Sequence, residues 1–208
     1  IFNQNIFGQD LFQLNIEHSN ALQNIISSDI GIADINNDGT NDIILYGYNR
    51  IGNQEGLFLN TYSISASGNI DTLQMDLLSN YFTYIPGDHS SKYIGGDGEL
   101  SLGDYDLDGK IDILAHGAEF MFLTKNLGGN FSSNNYLPNE FTENIGESSL
   151  QWGDVDLDGD LDVFWMGLKN NRSTITNKLL LNKSDFDGNV NWEFDNSIVM
   201  PDLRNGSV

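Results

Sequence analysis

Carboxylates recur at alternate positions in three short stretches, and that spacing suits a metal-binding loop. In Asp104-Tyr105-Asp106-Leu107-Asp108-Gly109-Lys110-Ile111-Asp112, acids stand at loop positions 1, 3, 5 and 9, with glycine at 6. Alternate side chains on a tightly turning chain converge on one point, and glycine lets the backbone make the bend. Carboxylates gathered in this way repel one another unless a cation sits among them. A hard divalent ion with oxygen ligands meets that demand, and calcium suits it best. Position 7 would add a backbone carbonyl, here that of Lys110.

The pattern occurs twice more. Asp34, Asn36, Asp38 and Asp42 form the first copy, with Gly39 at position 6 and the carbonyl of Thr40 at 7. Asp154, Asp156, Asp158 and Asp162 form the third, with Gly159 at 6 and the carbonyl of Asp160 at 7. Asp-Gly turns are common in solvated loops and need no metal. Three copies in one register are harder to explain as turns alone. An EF-hand needs a bidentate glutamate at position 12 and flanking helices. Position 12 is Leu45, Ala115 or Trp165, so that reading fails.

The elements that must position these loops read as strands. Asp42–Gly47, Asp112–Gly117 and Asp162–Gly167 are short apolar runs, rich in β-branched and aromatic residues and stopped by glycine. Upstream, Ile30/Ile32, Leu100/Leu102 and Leu150/Trp152 alternate with small or polar residues and lead into Ala33, Gly103 and Gly153. The unit is strand, cation loop, strand.

Strand-[GA]-D-x-[DN]-x-D-G-x-x-D-strand-Gly resembles the FG-GAP/VCBS-type repeat of integrin-like β-propellers, which is common in secreted bacterial proteins. The resemblance implies an all-β fold of four-stranded antiparallel blades, each anchored by one loop, with three calcium sites. It also implies a secreted or cell-surface location in a bacterium. About three blades plus part of a preceding one would form an arc of a larger propeller, commonly seven-bladed in this family. Asn36 departs from the pattern, since the strongest copies carry Asp there, and its loop is expected to release its ion first. A literal Phe-Gly…Gly-Ala-Pro signature is absent, which points to the bacterial branch rather than to integrins themselves.

Composition agrees with this class. The chain has 208 residues, 39% of them hydrophobic, enough for one substantial core. Thirty acids against nine bases give a formal charge of −21, which argues against nucleic-acid backbones and anionic membranes as partners. No cysteine is present, so neither disulfide staples nor thiol chemistry operates. No stretch reads as a signal peptide or a membrane span.

Residues 1–29 are expected to be the end of a preceding blade, 30–99 a blade with an insertion, and 100–149 and 150–208 two further blades. Expected outer strands are Leu57–Leu59 and Ile70–Met75 in the first blade, Phe120–Leu123 and the segment after Gly128-Gly129-Asn130 in the second. In the third they are Lys178–Asn182 and Val190–Phe194. Asp185-Phe186-Asp187-Gly188 reads as a hairpin turn rather than a fourth ion site. Asn205–Val208 aligns with residues that precede each loop, such as Glu147–Leu150, so the array is expected to continue at both ends, or a second copy to complete the ring.

Catalytic signals are sparse. His116 falls in a strand where Tyr46 and Met166 hold the equivalent places, so packing explains it. His89, in the 76–97 insertion, reads as part of a polar loop. No Gly-x-Ser-x-Gly, zinc-type spacing or phosphate-cradling glycine loop occurs. Trp152 and Trp165 suit blade packing, while the tyrosines of the insertion are better candidates for a ligand surface. The expected function is a non-catalytic adhesion or binding module for an extracellular glycan or protein. The alternative is the scaffold or accessory domain of a secreted carbohydrate-active enzyme such as a polysaccharide lyase.

Overall fold

The computed structural model describes residues 26–51, 54–64, 70–77, 99–117, 120–128, 130–132, 136–138, 145–169, 175–184 and 191–197. Residues 1–25 of the expected preceding-blade fragment, most of the 76–97 insertion with His89 and its tyrosines, the Asp185–Gly188 turn and the Asn205–Val208 alignment lie outside these residues, while 26–29 of that fragment open the first strand of the first sheet.

The fold is all-β, and each loop joins two antiparallel strands as expected. The first sheet is a meander of β1 (Ile26–Ala33), β2 (Asp42–Ile51), β3 (Gln54–Ile64) and β4 (Ile70–Leu77). The second contains β5 (Glu99–Gly103), β6 (Asp112–Gly117) and β7 (Phe120–Thr124). The third contains β8 (Ile145–Gly153), β9 (Asp162–Lys169), β10 (Ile175–Asn182) and β11 (Trp192–Asp195). Register repeats across all three: Ala33 pairs with Asp42, Gly103 with Asp112, and Gly153 with Asp162. Every loop is therefore closed at the same rung.

Of the segment expected to form the fourth strand of the second sheet, residues 133–135 and 139–144 lie outside the described residues. After the turn at Gly128 the chain comes back along β7 through one isolated bridge, Asn126 to Phe131, and two further backbone bonds. Ser132 N donates to Lys125 O at 2.8 Å and Tyr136 N to Leu123 O at 3.0 Å.

The sheets pack face to face around two cores. Between the first and second lie Ile35, Ile44, Tyr46, Ile113, Ala115 and Phe122. Between the second and third lie Tyr105, Leu114, Leu123, Leu150, Trp152 and Trp165. Ile113 and Leu114 thus serve opposite faces of β6, which explains an unbroken apolar run instead of alternation. Each such buried side chain contributes about 1.5–3 kcal/mol relative to exposure.

The first strand of one sheet keys into the first strand of the next. A Cβ on Gly31 would lie 2.5 Å from Leu102 Cδ1, and one on Gly103 would lie 2.6 Å from Leu161 Cδ1 and 3.0 Å from the Trp152 ring. Small residues at these rungs are what let the large ones of the following sheet approach. Ile30 and Ile32, the counterparts of Leu150 and Trp152, are instead 62% and 64% exposed, which their sequence pattern did not reveal. Trp152 and Trp165 are core residues, as expected, and His116 is buried in β6 opposite Met121.

Candidate metal centre

The three loops adopt one backbone course. Position 4 is left-handed in each, at Asn37 (φ 57), Leu107 (φ 57) and Leu157 (φ 63), and so is the glycine at position 6. A leucine in this region costs roughly 1–2 kcal/mol, because its Cβ crowds the carbonyl. The packed strands on either side hold the loop to this course regardless.

Side chains at positions 1 and 9 bind the loop to itself. Asp34 accepts the amides of Asp38 at 3.0 Å and Gly39 at 2.8 Å, and Asp104 accepts those of Asp108 at 3.0 Å and Gly109 at 2.8 Å. At position 9, Asp42, Asp112 and Asp162 are fully buried and each accepts the amide of position 2: Ile35 at 2.9 Å, Tyr105 at 3.3 Å and Val155 at 2.8 Å. The other oxygen of Asp112 accepts Asn126 N at 2.7 Å, and that of Asp162 accepts Asn182 N at 2.9 Å.

Those two asparagines tie sheet to sheet. Asn126 Nδ2 donates to the Ile35 carbonyl at 2.7 Å, and Asn182 Nδ2 donates to the Tyr105 carbonyl at 2.8 Å. Position 2 of the first and second loops is thus gripped by its own position 9 and by the following sheet, while Val155 of the third loop is held by Asp162. Tyr105 also stacks on Trp152 and Trp192, with ring centroids 6.3 and 6.1 Å away. The loop motif flagged neither the asparagines nor Tyr105. The only signal is an apolar position 2 in every copy and an Asn at the end of the third strand in two of them.

The acids gather differently in each loop. Asp104, Asp106 and Asp108 offer oxygens within 4.8 Å of one another, as do Asp154, Asp156 and Asp162. Asp112 and Asp158 stand outside these groups, and among the described residues the first loop brings no three acids together. There Asn36 Nδ2 donates to Asp38 at 3.0 Å, and the Thr40 hydroxyl donates to Asp38 at 2.6 Å. At position 7, Asp160 buries its side chain, so it contributes more than a carbonyl to its loop.

The electrostatics show a shortage of positive charge. Burial raises Asp112 to about 7 against the amides of Asn126 and Tyr105, and Asp106 and Asp108 push it the same way. Burial, then Asp158, raises Asp160 to about 7, and burial also raises Asp162. Asp158, hydrogen-bonded by Lys183, falls to about 2. Asp106 Oδ1 and Asp154 Oδ1 are buried without a hydrogen-bond partner. Orphaned carboxylate oxygens inside an all-oxygen donor set are what a hard divalent ion requires, so the residues present fit calcium.

Meander sheets stacked face to face, each opened by an acidic loop, define β-propeller blades with candidate cation sites. The family model described as FG-GAP-like repeat matches residues 104–165, from the first acid of the second loop into β9, and supports an FG-GAP repeat protein. No curated protein matches the sequence. Among solved structures, an Agrocybe aegerita lectin, described for its recognition of non-reducing terminal N-acetylglucosamine, is similar at 19% identity with a TM-score of 0.47. The match covers 81% of this chain, which spans 38% of that protein's length. Among the described residues no helix is long and apolar enough to cross a membrane.

Proposed function

We propose that the chain is part of a calcium-stabilised, extracellular β-propeller of the secreted bacterial type, acting as a non-catalytic module that binds a glycan or a protein. The observation that carries this reading is the pair of acid clusters in the second and third loops, each with a buried orphan oxygen; the second residue of the second loop is in addition bonded to the neighbouring sheet. Calcium bound there would neutralise the cluster and brace the loop. Asp104, Asp106, Asp108 and Asp112, with the Lys110 carbonyl, would hold one ion. Asp154, Asp156, Asp158 and Asp162, with the Asp160 carbonyl, would hold a second. Asp34, Asn36, Asp38 and Asp42, with the Thr40 carbonyl, would hold a third, weaker one.

Extracellular modules bind calcium at about 10⁻⁴ to 10⁻³ M. At tenfold excess each site stabilises the fold by roughly 1.4 kcal/mol, or about 4 for three. That is a large share of a typical stability of about 5–15 kcal/mol. The exposed Ile30 and Ile32 on the first sheet and Val155 on the third are positions buried at the inner interfaces, and further blades of a longer chain would cover them. A glycan array probed in calcium and in chelator tests the function. Retention of a glycan in calcium and its loss in chelator are expected; release of unsaturated products from a polysaccharide would overturn the non-catalytic assignment.

A further inference from the structure

Two lysines that form no part of the loop motif reach into the second and third loops. Lys125 lies between β7 and Asn126; its Nζ contacts Asp106 and sits 3.0 Å from Asp108 Oδ2. Lys183 follows Asn182; its Nζ contacts Asp156 and sits 2.9 Å from Asp158 Oδ2. One lysine precedes the sheet-linking asparagine and the other follows it, so strand register does not carry one onto the other. Both ammonium groups nevertheless settle between the carboxylates of positions 3 and 5. Two carboxylates facing one point attract a positive charge to it.

The ammonium fills the point only in part. Asp106, with its side chain just 7% exposed, gives one oxygen to Lys125 while Oδ1 remains without a hydrogen-bond partner. A lysine is a single charge on a flexible stem, held by contacts that are individually weak. A divalent ion at the same point brings twice the charge and accepts oxygens on all sides. Among the described residues no lysine reaches the first loop in this way, and Asn36 and Thr40 hold Asp38.

We propose that Lys125 and Lys183 are tethered counter-ions, held between the position-3 and position-5 carboxylates of the metal-free protein and displaced when a divalent ion binds. The proposal rests on the calcium reading of these loops. The lysines then act in two opposite senses. They stabilise the metal-free loop, and they compete with the ion for the same oxygens. The first loop, with one acid fewer and, among the described residues, no lysine to expel, is brought closer in affinity to the other two.

Lys125→Met and Lys183→Met keep the apolar stem and remove the charge. In chelator both variants should melt below the wild type, since Asp106 and Asp156 lose their ammonium partner, although Lys110 still reaches Asp108 at 2.9 Å. In calorimetric calcium titrations each should tighten one site by roughly three- to tenfold, without changing the number bound. A purely structural lysine would lower stability in chelator and leave the affinity unchanged or weaker, and that result overturns the proposal. So does a melting temperature in chelator that is unchanged or raised. Absence of calcium binding by wild type and variants alike overturns the calcium reading itself, whereas binding that ignores the lysines overturns only the displacement. If Lys125→Met does not fold, Lys183→Met, at the more exposed site, carries the same test.

Discussion

The face that the second sheet shows to the third and the face that the third turns away from it use the same positions with opposite outcomes. Gly103 lies under Trp152 and Leu161, while nothing is within 4 Å of a Cβ on Gly153. Tyr105 is enclosed by Trp152, Trp192 and Tyr136, and its carbonyl receives Asn182. Its counterpart Val155 is 48% exposed. Burial at these positions belongs to the neighbouring sheet and not to the strand that carries them. Position 2 of the loop is where the two meet, since it joins the ion site to the inter-sheet core.

The largest effect should come from that residue. Tyr105→Ala should destabilise the protein by about 3–5 kcal/mol, as for other buried aromatics. Val155→Ala should stay within about 0.5 kcal/mol. Denaturant titration of both variants decides it, and equal losses would break the comparison. Next in size is the link itself. Asn182→Ala leaves the Tyr105 carbonyl buried and unpaired, which costs about 1–3 kcal/mol. Asn126→Ala should cost a similar amount through Ile35, and no loss in either would show that the sheets hold together without these bonds.

Acidity sharpens the picture within the loops. Asp112 and Asp160 are both raised to about 7 in the folded protein. Between the ordinary carboxylate value near 4 and about 7, the folded chain therefore holds protons that the unfolded chain has lost. Their contribution is fully present below about 4 and disappears as the pH rises towards 7. Metal-free protein should accordingly lose melting temperature over that window, and millimolar calcium should flatten the profile. A metal-free decline from pH 4 to 7 that is as steep in Asp112→Asn as in wild type would remove Asp112 from the account.

The smallest expected change is a gain. Leu157 is left-handed and exposed, and the equivalent position in the first loop is Asn37, a residue type that tolerates this conformation. Leu157→Asn should stabilise by about 1 kcal/mol. A loss would mean that Leu157 packs against something its exposure conceals.

Much of this architecture was legible because the loop motif and the strands share one register. Acids at fixed offsets gave the loops, and the apolar runs gave the starts of β2, β6 and β9 to the residue; glycine stops only β6, while β2 runs on to Ile51 and β9 to Lys169. Lys125, Lys183, Asn126 and Asn182 were not legible, because they reach the loops from the far end of the third strand with no fixed spacing. The exposure of Ile30 and Ile32 was hidden for a different reason: an alternating strand reads the same whether or not a neighbour covers it.

The central claim is that the loops hold calcium, and equilibrium dialysis against millimolar calcium with metal analysis of the protein tests it directly. Three ions per wild-type chain are expected, and two in Asp106→Ala, whose loop loses the carboxylate that carries the buried orphan oxygen. No bound calcium, or an unchanged count in Asp106→Ala, would contradict the account.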